Sequence, residues 1–236
     1  MRLGILFLLA CANVGAAEVH VAVAANFSTP AKQLAEPFLR ESGHRVVLSS
    51  GSTGKFYAQI KSGAPFEVLL SADEATPRRL EEDGLAVPGT RFTYASGRLA
   101  LWSARPNLPM GEALLRKNDF QRLAIANPRL APYGAAAQEV LEKLGLWADV
   151  RSKLVQGENI AQTFQFVSSG NAQLGFVALS QVQGGSHWVI PATLHAPLKQ
   201  DAVLLARGKD SAAAASFLEF LRGPLARKIV RSYGYE

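Results

Sequence analysis

Apolar and polar positions along the chain switch repeatedly between a strand-like and a helix-like rhythm. Val19 to Ala24 is a valine and alanine run without helical spacing, which reads as a buried strand. It ends at Ala25-Asn26-Phe27-Ser28-Thr29-Pro30, where Ser28 or Thr29 can cap a helix and Pro30 suits its first turn. Leu34, Ala35, Phe38 and Leu39 then fall on one stripe until Gly43 stops it. The unit repeats: Arg45 to Leu48 as a strand, Ser49 to Gly54 as a turn, Phe56 to Lys61 as a helix ended by Gly63. Glu67 to Ser71 is a third strand, leading through Ala72-Asp73 into a helix that reaches Asp83. Strands alternating with helices in this way predict a parallel α/β sheet.

After Pro88-Gly89 the register changes and a second α/β unit begins. Arg98 to Ser103 and Leu123 to Ala126 read as strands, and the loop Asn127 to Gly134 leads to a helix over Ala135 to Leu144. Ile160 to Val167 reads as a helix, Leu174 to Leu179 as a buried strand, and Trp188 to Ile190 and Ala202 to Ala206 as further strands. Ser211 to Tyr233 is helical, interrupted near Gly223-Pro224.

Composition narrows the function classes. With 236 residues, nearly half hydrophobic, the chain can bury one large or two modest cores. The net charge of +6 is spread along it without a basic run, so a solvated surface is expected and nucleic acid is not a partner. Arg2, the apolar stretch Ile5 to Ala10 and the small residues Gly15-Ala16-Ala17 read as an export signal cleaved before Glu18. Leu8-Leu9-Ala10-Cys11 offers the alternative of a lipid-tethered protein beginning at Cys11. Cys11 is the only cysteine, so cleavage after Ala17 leaves no disulfide and no thiolate metal site.

Chemistry in such sheets sits beyond the carboxyl ends of the strands. Two strand-to-helix loops there, Asn26 to Thr29 and Ser49 to Gly54, are built of small hydroxyl, amide and glycine residues. Helix starts of this kind hold anions on unpaired N–H groups without a lysine or arginine, although the same residue types also serve as plain caps. Gly51-Ser52-Thr53-Gly54-Lys55 is not a nucleotide-binding loop: Ser49 stands where the first glycine belongs, and Phe56 where a magnesium-binding hydroxyl belongs. Nor is Ser50 to Gly54 a hydrolase elbow, its serine lying one place early relative to the glycines. His20, His44, His187 and His195 are scattered and form no cation site. Asp73 reads as a helix cap or hinge brace rather than a base, and Trp102, Trp147 and Trp188 as packing residues.

Ala24-Ala25-Asn26-Phe27, Ser50 to Ile60, Gly63 to Val68 and Ser71-Ala72-Asp73 together resemble the periplasmic molybdate-binding protein family of the ModA type. Ala126-Asn127-Pro128, Ala131-Pro132-Tyr133-Gly134, Leu174 to Leu179, Gly223-Pro224 and Ser232 to Tyr235 follow the same family order. The resemblance implies a two-lobed α/β periplasmic-binding-protein fold of type II, each lobe a mixed, mainly parallel sheet flanked by helices. It implies an export signal over 1–17, a first lobe over 18–95, a second over 96–197, and a return to the first lobe and hinge over 198–236. It further implies a non-catalytic, monomeric periplasmic protein that captures molybdate, and tungstate too, for the permease and ATPase subunits of an ABC importer. No cofactor is implied, and molybdenum arrives as an oxyanion rather than a cation with protein ligands.

Carried over by position, the oxyanion contacts fall on Ala25, Asn26, Ser52, Thr53, Tyr133 and the backbone at Ile160. Two departures stand out: Ala178 where the enteric branch has a tyrosine, and Ala25 where a threonine often precedes the asparagine. The alternatives are another tetrahedral oxyanion, such as sulfate or thiosulfate, and an enzyme on a similar scaffold.

Overall fold

A computed structural model of the chain describes residues 17–236. The export segment read over 1–17 and the tethering alternative at Cys11 lie outside the described residues, apart from Ala17.

In chain order the elements are β1 (Glu18–Ala24), α1 (Ser28–Ser42), β2 (Arg45–Gly51), α2 (Thr53–Lys61), β3 (Val68–Leu70), α3 (Ala75–Glu82), β4 (Phe92–Gly97) and β5 (Leu99–Ser103). There follow α4 (Glu112–Lys117), β6 (Leu123–Ala126), α5 (Pro132–Lys143), α6 (Trp147–Val150), β7 (Leu154–Gly157), α7 (Ile160–Ser168) and β8 (Leu174–Ala178). The chain closes with β9 (Ser186–Val189), β10 (Leu198–Leu204), α8 (Ala212–Arg222) and α9 (Pro224–Ser232). A 3-10 turn, Ala25–Phe27, joins β1 to α1.

Two mixed five-stranded sheets result, ordered β2-β1-β3-β10-β4 and β7-β6-β8-β5-β9. In the first, β2, β1 and β3 run parallel and β10 antiparallel to its neighbours. The second copies the plan: β7, β6 and β8 are parallel, with β5 antiparallel to β8 and β9. The chain crosses from the first sheet to the second at Arg98, between β4 and β5, and returns between β9 and β10.

Each sheet is covered on both faces, which explains why β1, β6 and β8 read as continuous apolar runs instead of alternating ones. Val19, Val21 and Val23 pack with Phe27, Leu34, Phe38 and Phe217, while Ala22 on the other face packs with Phe56, Ile60 and Leu80. In the second sheet Leu123, Ile125 and Phe176 face Val140 and Leu141, and Ala124 and Val177 face Val167. Trp102 is buried, as expected for a packing residue: its ring stacks on Phe164 at 4.5 Å. Truncating a wholly buried aromatic such as Phe38 would cost about 3–5 kcal/mol.

Several boundaries differ from the sequence expectation, and the differences matter for function. The helix expected from Phe56 begins at Thr53, and the one expected from Ala135 begins at Pro132, so Thr53 and Tyr133 sit in first helical turns and not in loops. Proline lacks an N–H that the first position would leave unpaired anyway, which is why Pro132 starts a helix well. Ser28 and Thr29 do not cap α1; Ser28 Oγ instead bonds Ser50 Oγ at 2.5 Å. The last sheet strand runs Leu198–Leu204, earlier than Ala202 to Ala206, and carries a bulge between Gln200 and Asp201. The apolar pattern does not mark β4, α4 or β7, because Thr93, Ser96, Arg116, Gln156 and their neighbours break it up.

Candidate oxyanion site

Four chain segments meet where the carboxyl ends of the two sheets face each other. They are Ala24 to Asn26 after β1, Gly51 to Thr53 after β2, Ala131 to Tyr133 before and into α5, and Asn159-Ile160 at the start of α7. Each is the beginning of a helix or helical turn. Two belong to the first sheet and two to the second, and with Ala72 they line one cleft. The cavity left between them measures only about 10 Å³. Pockets for drug-sized ligands measure roughly 300–1,000 Å³, so an organic ligand has no room here.

All six residues carried over as contacts, Ala25, Asn26, Ser52, Thr53, Tyr133 and Ile160, are buried and line this one cleft. None of the lining residues is charged. The first N–H groups of a helix have no partner inside it, and they carry the positive end of the helix dipole. Three such ends, of α2, α5 and α7, and the 3-10 turn at Ala25–Phe27 meet at this cleft, which favours an anion without a cation side chain.

The side chains divide sharply in what they have left to give. Ser52 is the N-cap of α2, yet its hydroxyl makes no capping bond, and among the described residues its Oγ is the one buried side-chain polar atom without a partner. Such an orphan normally costs about 1–3 kcal/mol, so its presence calls for an acceptor. Thr53 Oγ1 accepts the Ala72 N–H at 3.1 Å, which leaves its own hydroxyl hydrogen to donate. Asn26 differs: its amide nitrogen donates to Gln200 Oε1 at 2.8 Å and to the Tyr235 hydroxyl at 3.1 Å. With both amide hydrogens of Asn26 committed, the donors left for the cleft at Ala25 and Asn26 are main-chain N–H groups. The Tyr133 hydroxyl accepts from Gln200 Nε2 at 3.1 Å and is hydrogen-bonded to the Tyr235 hydroxyl, leaving its main-chain N–H, second in α5, for the cleft. Ile160 offers the first N–H of α7, while the Asn159 side chain caps that helix by accepting from the Gln162 N–H at 3.0 Å.

The cleft is shut. Gly54 N–H donates to Leu130 O at 2.9 Å across it, and Lys55 pairs with Glu158 at its exposed rim. A Cβ on Gly54 would stand 3.1 Å from the Leu130 backbone, so this approach needs glycine or a small shift of the loop. At the back, the Ser180 hydroxyl contacts Asn26 O at 3.3 Å and the Tyr235 hydroxyl at 2.9 Å. Burial pushes the Tyr94 and Tyr133 phenols well above their ordinary range and the Tyr235 phenol up to about 12. All three therefore stay protonated near neutrality.

Asp73 is a helix brace. It accepts from the Thr76 N–H at 2.8 Å and the Ser71 hydroxyl at 3.0 Å; burial raises its pKa against these bonds, which lower it. Ala178, buried at the end of β8, is not among the cleft-lining residues. Gln200, Gly97, Ser180 and Tyr94 were missed by sequence reasoning. One signal was available: strand period puts Gln200 in phase with Leu198 and Ala202, an amide at an inward position.

Comparison with known proteins bears on this geometry. A family model described as bacterial extracellular solute-binding protein matches residues 19–236. The molybdate-binding protein ModA of Azotobacter vinelandii is 55% identical over 235 residues, covering 97% of this chain and 93% of its own. ModA of Rhodobacter capsulatus is 51% identical over 223 residues, covering 93% and 88%. Among solved structures, the periplasmic molybdate-binding protein of Azotobacter vinelandii superposes with a TM-score of 0.89 at 42% identity, over 92% of this chain and 98% of that one.

Proposed function

We propose, from the premise that this chain belongs to the bacterial extracellular solute-binding proteins and, within them, to the molybdate-binding ModA proteins, that it captures molybdate in the four-helix cleft and delivers it to an ABC importer. Tungstate, of the same shape and charge, is a second cargo. The protein acts in the periplasm, by the export signal ending at Ala17, with tethering through Cys11 as the alternative. Every segment of the cleft comes from one chain, so a monomer suffices. It needs no cofactor, and its partners are the permease and ATPase subunits of the importer.

The observation that carries this reading is the donor-only cleft. Molybdate is a dianion at neutral pH and accepts hydrogen bonds without donating any. The main-chain N–H groups at Ala25, Asn26, Tyr133 and Ile160 and the hydroxyls of Ser52 and Thr53 are its proposed contacts. Charge-assisted bonds of this sort are worth about 1.5–3 kcal/mol each. Monohydrogen phosphate would turn its own proton toward these donors and is rejected. Because donors from both lobes share the guest, binding favours the shut arrangement over an open one. The same inventory argues against an enzyme: no charged or histidine side chain lines the cleft to serve as acid or base.

Parallel calorimetric titration with molybdate, tungstate and sulfate tests the reading. Tight binding of the first two and weak binding of sulfate is the expected result, with a matching rise in melting temperature by mass action. Sulfate binding as tight as molybdate would move the protein to the broader oxyanion class, and no response to any oxyanion would overturn the reading.

A further inference from the structure

Gln200 is wholly buried in β10, just past the return crossing between the sheets. An unpaired amide there would be costly, and a leucine would fill the space with less risk. Both ends of this amide are used, and by different lobes. Oε1 accepts from Asn26 Nδ2 at 2.8 Å and shares the hydrogen of the half-buried Tyr94 hydroxyl, 3.1 Å away, with Ser71 O at 2.9 Å; Asn26 and Tyr94 are both on first-sheet elements. Nε2 donates to the Tyr133 hydroxyl at 3.1 Å, which reaches over from α5 of the second sheet. Asn26 and Tyr133 also line the oxyanion cleft.

The cluster has a fitted seat. A Cβ on Gly97 would lie 2.0 Å from the Tyr133 hydroxyl and 2.5 Å from Gln200 Nε2. Gly97 is not among the glycines with positive φ, so the requirement there is space and not backbone conformation. Tyr235 joins the same cluster through Asn26 and spans to the second sheet through Ser180.

We propose that Gln200 is a positioning residue for anion capture: by holding Asn26 and Tyr133 in one buried hydrogen-bonded cluster seated on Gly97, it sets the shut registry of the four helix starts and the lifetime of the bound anion. The proposal rests on the oxyanion reading. It separates two tasks within the same residues, since the main chain of Asn26 and Tyr133 meets the anion while their side chains clasp the lobes.

The test is stopped-flow measurement of molybdate association and dissociation, with small-angle scattering of the free and loaded proteins. Gln200→Leu strands the Asn26 amide and frees the Tyr133 hydroxyl. It is expected to raise the dissociation rate by about tenfold or more, leave association within about twofold, and weaken molybdate-induced compaction. Tyr133→Phe keeps the main-chain donor and should act in the same direction. Residues acting as one unit are non-additive, so the double variant should dissociate no faster than Gln200→Leu. Gly97→Ala should wedge the lobes and speed dissociation, with partial recovery in Gly97→Ala/Tyr133→Phe. A wild-type dissociation rate in Gln200→Leu, or effects that multiply in the double variant, would overturn the clasp. Should Gln200→Leu fail to fold, a wild-type rate in Tyr133→Phe would do so. Absence of molybdate binding by the unaltered protein would instead sink the oxyanion reading itself.

Discussion

The two lobes offer the anion different chemistry. The first-sheet edge brings two side-chain hydroxyls, Ser52 and Thr53, together with the turn at Ala25–Phe27. The second-sheet edge brings Tyr133 and Ile160, whose contribution is main-chain N–H: the Ile160 side chain is apolar, and the Tyr133 hydroxyl is engaged by Gln200 and Tyr235. Hydroxyl donors can be lost by mutation of the side chain, whereas main-chain donors survive almost any substitution except proline. The first lobe's grip is therefore fragile to side-chain changes, and the second lobe's is protected.

Ile160→Pro gives the largest expected effect. Proline is well tolerated at the first position of a helix, and the extended backbone of Asn159 (φ −148°, ψ 173°) suits a residue preceding proline. The substitution should leave α7 intact while deleting one donor, weakening molybdate by about 1.5–3 kcal/mol, or roughly tenfold to 150-fold. Ile160→Val should change affinity little, and calorimetry on the pair checks whether the donor or the side chain matters.

Ser52 and Thr53 sharpen the comparison within the first lobe. Ser52→Ala removes an orphaned hydroxyl, so the anion-free protein should be no less stable while molybdate affinity falls by about tenfold or more. Thr53→Ala also strands the Ala72 N–H and should lower the stability of the anion-free protein by about 1–3 kcal/mol in addition to weakening binding. Denaturation midpoints measured without anion separate the two; equal losses of stability would show that Ser52 is bonded after all.

The rim matters less. Lys55 and Glu158 are both solvent-exposed, so Glu158→Gln should weaken molybdate by less than about 1 kcal/mol, a difference that vanishes in high salt. Smallest near neutrality is the effect of the phenols. With the Tyr235 hydroxyl raised to about 12, the unfolded chain loses that proton first, near pH 10. Its stabilising contribution is complete below about pH 10 and disappears as pH climbs toward about 12. Urea melts between pH 8 and 11 should fall more gently for Tyr235→Phe than for the unaltered protein.

The same asymmetry explains what was legible in the sequence. Ser49 to Gly54 announces an anion loop through its residue types, and the continuous apolar runs of β1, β6 and β8 announce doubly covered strands. Tyr133 and Ile160 carry no such signature, because a main-chain donor leaves no mark on residue identity; only the resemblance pointed to them. Pro132 held a clue to the helix start in its preference for first positions, but the alanines behind it drew the boundary to Ala135. Gln200 and Gly97 escaped because their partners lie 67 and more residues away from Gln200 in the chain, at Tyr133, Tyr94 and Asn26, and only folding brings them together.

The central claim is that neutral donors at four helix beginnings hold a dianion with no cationic side chain in contact. An anomalous-scattering map at the molybdenum edge, from crystals grown with molybdate, tests it most directly. The account predicts one dominant peak within hydrogen-bonding reach of Ser52 Oγ and the main-chain nitrogens of Tyr133 and Ile160, whereas a peak resting on lysine or arginine side chains elsewhere would contradict it.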